Sequence, residues 1–77
     1  KKRELFFETG ELNVVQEVRM DGLLLVEHGA RTEFYKSGIP SVVGSFTDGR
    51  KDGTFNYYKK DGFLEKTREY KNGIQIK

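Results

Sequence analysis

Short stretches of this chain alternate apolar and polar residues, and each stretch ends at a glycine after a few positions. Thr54–Lys59 shows the pattern best, with Phe55 and Tyr57 on one side and Tyr58 on the other. That spacing predicts a β-strand, because successive side chains of an extended chain point to opposite faces. Lys60-Asp61-Gly62 then reads as a turn and Phe63–Lys71 as a return strand, on which Leu64 and Tyr70 share a face with Lys66 and Arg68 between them. Arg31–Lys36, a turn at Ser37-Gly38 and Ile39–Thr47 repeat the arrangement. Asp21-Gly22, Asp48-Gly49, Asp52-Gly53 and Asn72-Gly73 add further turn signals, since Asx-Gly pairs suit hairpin turns with positive φ. Punctuation this dense leaves no room for a helix of ordinary length. The prediction is an all-β protein of six or seven antiparallel strands with no helix longer than one turn.

The stretches are copies of one another. A shift of 24 positions lays Gly29 on Gly53, Phe34 on Tyr58, Gly38 on Gly62, Phe46 on Tyr70 and Gly49 on Gly73 without a gap. A fixed period of this size marks a repeat architecture in which small units stack on one another. Three units follow: residues 4–28, 29–52 and 53–77, the first aligning on the second with an offset of 28. Its excess lies around Leu23–Val26, the longest apolar run, which is expected to be the best-buried segment. Pro40 takes the place of Leu64 and, lacking an N–H, should sit at a strand's start or at a bulge.

Those spacings resemble the bacterial variant of the MORN repeat. Gly53…Tyr57-Tyr58…Gly62-Phe63-Leu64…Tyr70-Lys-Asn-Gly73 is one copy, Gly29…Phe34-Tyr35…Gly38…Phe46-Thr-Asp-Gly49 a second, and Phe6-Phe7…Gly10-Glu-Leu12 with Asp21-Gly22 a degenerate third. The resemblance implies an antiparallel meander of tandem β-hairpin repeats forming one elongated, twisted sheet. Bacterial proteins of this kind are often labelled antitoxins, and eukaryotic MORN proteins are linked to scaffolding, oligomerisation and phosphoinositide membranes. The sequence departs from the pattern in the excess of unit one and in Gly44, which is matched by Arg68 in mid-strand.

Composition narrows the function. Of 77 residues, 35% are apolar and 34% charged, with six Phe, four Tyr and no Trp or Cys. Such a chain fills one row of contacts along a sheet rather than a two-layer core, and it has neither disulfides nor thiolate metal sites. Net charge is +2, too small for strong attraction to nucleic acid or anionic membrane. Residues 4–49 carry three Arg/Lys against eight acids, whereas residues 50–77 carry eight against four. This polarity would favour opposite ends meeting, so self-association through the sheet edges is expected to weaken as salt rises. No stretch approaches the roughly 20 apolar residues of a membrane helix. The chain begins at Lys1 without methionine or signal peptide, as an excised domain or processed product does.

Catalytic chemistry finds little material. His28 is the only histidine, so a Ser-His-acid set would need it beside Ser37, Ser41 or Ser45, with nothing to mark an oxyanion hole. Glu65 and Glu69 stand about 13 Å apart along a strand, too far for a glycosidase pair. Asp48, Asp52 and Asp61 occupy turns and lack calcium-loop spacing. The expectation is a non-enzymatic module without cofactor or metal that binds another protein through Phe55, Tyr57, Phe63 and Tyr70, since aromatic anchors dominate interfaces. A spacer, or a membrane-surface scaffold segment using Arg50, Lys51, Lys59, Lys60, Lys66 and Lys71, is the alternative. Nucleic acid is disfavoured because Tyr57 and Tyr58 point to opposite faces and cannot stack on one ligand.

Overall fold

The hairpin turns are set by local backbone chemistry, and the computed structural model, which describes residues 1–77, forms the same turn three times. The N–H groups of Gly10, Gly38 and Gly62 each donate to the carbonyl three residues back, on Phe7, Tyr35 and Lys59, at 2.9 Å. These glycines hold φ of +100°, +94° and +94°, a conformation that costs other residues strain. Each turn shifts the ladder by one residue, so that Phe6 faces Leu12, Phe34 faces Pro40 and Tyr58 faces Leu64. Pro40 therefore opens its strand at a bulge, where its missing N–H costs no ladder bond.

The chain runs as β1 (Lys2–Phe6), β2 (Leu12–Asp21), β3 (Leu24–Phe34), β4 (Pro40–Thr47), β5 (Arg50–Lys51), β6 (Gly53–Tyr58), β7 (Leu64–Lys71) and β8 (Ile74–Gln75). All pair antiparallel in one sheet of order β1-β2-β3-β4-β6-β7-β8, with β5 also on β4, and there is no helix. The count exceeds the expected six or seven because six longer strands are joined by two of two residues each, β5 and β8. They follow turns in which Asp48-Gly49 and Asn72-Gly73 both have positive φ (51° and 82°; 54° and 83°), the requirement of a type I′ hairpin. Gly49 N–H then donates to Glu27 O, and Gly73 N–H to Lys51 O, both at 2.8 Å, stitching each turn to the preceding segment. Val at Gly38, Gly49, Gly62 or Gly73 should each destabilise by about 1 kcal/mol or more, read as a lower Tm.

The molecule measures 39 × 33 × 14 Å, the thickness of a single sheet. Only Val14, Gln16, Val18 and Phe55 are buried. The register lines up rows across the strands. On one face run Leu5, Val14, Glu33, Val42, Tyr57 and Lys66, and beside them Arg3, Gln16 and Arg31, with Phe55 opposite Arg68 further along. On the other run Glu4, Val15, Thr32, Val43, Asn56 and Thr67. Phe34 and Tyr58, equivalent by the repeat, are both half-buried.

Leu23–Val26 contradicts the expectation of burial. Leu23, Leu24 and Leu25 are 98%, 68% and 55% exposed, and Val26 is half-buried. The extra residues of unit one lengthen the β2–β3 hairpin, where Asp21 pairs Leu24 and Met20 pairs Leu25 beyond the last pairing of β1 and β4. An apolar run is buried only when another layer or strand lies over it, and a one-layer sheet supplies none at this tip.

Candidate functional site

Phe55 anchors the best-packed part of the sheet. Its ring lies on Gly44 of β4, where an added Cβ would stand 2.4 Å from the ring carbon Cδ2. Phe46 and Tyr70 meet it edge to face, with centroids 5.9 and 5.3 Å away and planes at 71° and 90°. Only 1% of Phe55 remains exposed. It is therefore the floor of the site rather than an exposed contact, which corrects the sequence expectation: the bare backbone of Gly44 lets the ring sink into the sheet.

Tyr57 and Tyr70 remain half-buried on the same face. Partial burial and the neighbouring Tyr70 hydroxyl push the Tyr57 phenol up to about 12 from an ordinary 10.0. A neutral phenol favoured by the fold contributes stability that is complete below its unfolded value and lost as the pH rises through the folded one. Ultraviolet titration should show a phenol ionising at about pH 12, and Tyr57→Phe should remove that step.

Three cations attend these rings. Lys51 Nζ lies 5.2 Å from the Phe55 centroid and 4.8 Å from that of Tyr70, and Lys66 Nζ lies 5.2 Å from that of Tyr57. Arg68 stands opposite Phe55, and its Nη1 donates to Thr67 O at 3.1 Å. None of the three makes an ion pair. The N-terminal half of the same face neutralises itself: Glu27 bridges Arg3 (2.9 Å) and Arg31 (3.3 Å), and Glu33 holds Arg31 Nε at 3.0 Å. Between the halves lies an open groove of ≈ 570 Å³ that Val42, Phe46, Lys51, Phe55 and Tyr57 help to line.

Phe63 lies elsewhere. It is 72% exposed beside a hairpin turn, its N–H donating to Asp61 Oδ1 at 3.0 Å, and it takes no part in the groove. His28 Nδ1 accepts the Asp48 N–H at 3.2 Å, and Ser45 Oγ donates to Asp52 O at 2.6 Å, so both serve the backbone. The sequence marks Lys51 only among the cations of a membrane-facing surface and Gly44 only as a departure from the repeat, and it ties neither to the aromatic face. The repeat shift offered one signal, since it matches Phe46 with Tyr70, and the two rings flank Phe55.

Comparison with known protein families, with characterised proteins and with solved structures finds no match to this chain.

Proposed function

We propose that the chain is a non-enzymatic, MORN-like repeat module that holds another protein on its aromatic face. The observation that supports this most is the pair Tyr57 and Tyr70, half-exposed over a fully packed Phe55 and beside a ≈ 570 Å³ groove. Rigid aromatic rings on a preorganised floor lose little freedom on binding, which suits interface anchors. The equivalent turns at Gly10, Gly38 and Gly62 agree with the repeat frame that the resemblance implies. An antitoxin role, with a toxic protein as partner, rests on that resemblance alone.

The test places a photo-crosslinking amino acid at Tyr57 or Tyr70 in the full chain, with Asn56 and Thr67 of the opposite face as controls. A discrete protein adduct from the tyrosine positions and none from the controls is the expected result. Equal labelling of both faces, or none from either, would leave a spacer within a longer array as the better reading.

A further inference from the structure

The repeat frame leaves over the four residues by which the offset of 28 exceeds that of 24. They lengthen the β2–β3 hairpin and take no part in stacking one unit on the next. Leu23 stands at the turn, Leu24 and Asp21 pair on one face, and Leu25 and Met20 pair on the other. All five side chains are exposed. A tip that is apolar on both faces is covered only by an occupant that surrounds it, because a flat surface buries one face. On the β3 side this exposure is set from within the chain. The last pairing with β4 is Gly29 opposite Phe46, and the Asp48-Gly49 turn closes on Glu27.

Antiparallel order puts the turns at Gly22, Gly49 and Gly73 at one end of the strands and those at Gly10, Gly38 and Gly62 at the other. That second end carries a groove of ≈ 500 Å³ bounded by all three tight turns: Phe7 of the first, Phe34, Tyr35 and Lys36 of the second, and Lys60 of the third. The Tyr35 hydroxyl donates to Tyr58 O at 2.5 Å and ties the second turn to the third unit, so the groove is built into the fold. Lys36 Nζ stands 5.6 Å from the Phe7 centroid, and neither it nor Lys60 makes an ion pair. Between Met20 and Val26 the only charge is Asp21, which is also unpaired, while Arg19 beside it is held by Asp48. We propose that the Leu23–Leu25 tip of one copy enters the groove at the opposite end of a second copy, with Asp21 against Lys36 and Lys60.

Tip and groove are different surfaces, so the contact is heterologous and joins copies head to tail in an open chain. A lipid bilayer suits the tip less well. It would bury the Asp21 carboxylate, and with it the main-chain groups of Leu24–Val26 that have no strand on the β4 side. In the groove the same groups meet two cations and the Ser37 hydroxyl. Neither surface includes Tyr57 or Tyr70, so the aromatic face stays open and the inference stands apart from the proposed function.

Sedimentation velocity of the full chain tests it. A contact the size of one hairpin tip is weak, so the sedimentation coefficient is expected to rise with concentration over roughly 0.01–1 mM. Leu23→Ser with Leu24→Ser should stay monomeric, and so should Lys36→Glu with Lys60→Glu, each with the circular dichroism spectrum of the parent. Mixed together, the first chain supplies an intact groove and the second an intact tip. The expected product is a dimer that grows no further. Asp21→Lys added to the Lys36→Glu, Lys60→Glu chain should restore association. A parent that stays monomeric to roughly 1 mM, or a mixture that does not dimerise, would overturn the inference. Association that survives either pair of substitutions would also overturn it and point to the sheet edges instead. So would binding to phosphatidylcholine vesicles that Leu23→Ser with Leu24→Ser abolishes, which would assign the tip to a membrane.

Discussion

Phe55→Ala is expected to remove a large share of the fold's stability and to bring the urea midpoint far below that of the parent. Removing a fully buried phenylalanine costs about 3–5 kcal/mol, the transfer free energy of the ring plus the cavity it leaves. A domain of this size has a total stability of roughly 4–12 kcal/mol, so a single ring represents a large share of it. The share is larger here because Phe55 is one of only four buried residues, and Phe46, Tyr70 and Lys51 all rest against it. Urea titration followed by circular dichroism measures the effect. A midpoint close to that of the parent would mean the ring is not the centre of packing.

Gly44→Val should come close to the same effect by the opposite route. A Cβ at this position would lie 2.4–2.6 Å from three carbons of the Phe55 ring, well inside van der Waals contact. The ring has to leave its seat or β4 has to bend, and overpacking of this kind costs typically about 1–3 kcal/mol, occasionally more. Gly44 has no left-handed φ, so the penalty is steric and not conformational. That origin makes a further result expected: in the Phe55→Ala background, Gly44→Ala should be nearly harmless. The double-mutant cycle should show a coupling of about 1–3 kcal/mol, as groups in direct contact do. Additive losses would place the cost of Gly44→Val in the strand itself rather than in the Phe55 contact.

Gly29 behaves differently, although it too faces a close neighbour. Its φ is +109°, and a Cβ would stand 2.4 Å from Oε1 of Glu17, which accepts the Ala30 N–H at 2.7 Å. Both backbone strain and lost space oppose substitution there, so pairing with Glu17→Ala should recover only part of the loss.

The all-β class, the period of 24, the turn positions and the bulge at Pro40 were legible in the residues alone. All are local statements: a type I′ turn needs positive φ at two adjacent residues, and Asx-Gly supplies it wherever the rest of the chain goes. The face shared by Phe55 and Tyr57 was likewise legible, because alternation along one strand needs no knowledge of its neighbours. Burial was not. Phe55 is buried because Gly44, eleven residues earlier, stands opposite it across β4 and β6, and Leu23 is exposed because no strand reaches the tip of its hairpin. Both outcomes depend on what another unit of the repeat places alongside, and in a one-layer sheet every contact beyond a hairpin is of that kind. The division of the charges follows the same rule. Sequence counts showed a cationic C-terminal third, while only the register disclosed that Arg3 and Arg31 are neutralised by Glu27 and Glu33 and that Lys51, Lys66 and Arg68 are left without partners. Local φ requirements are written in adjacent residues; pairing across strands is decided by the register of the whole sheet.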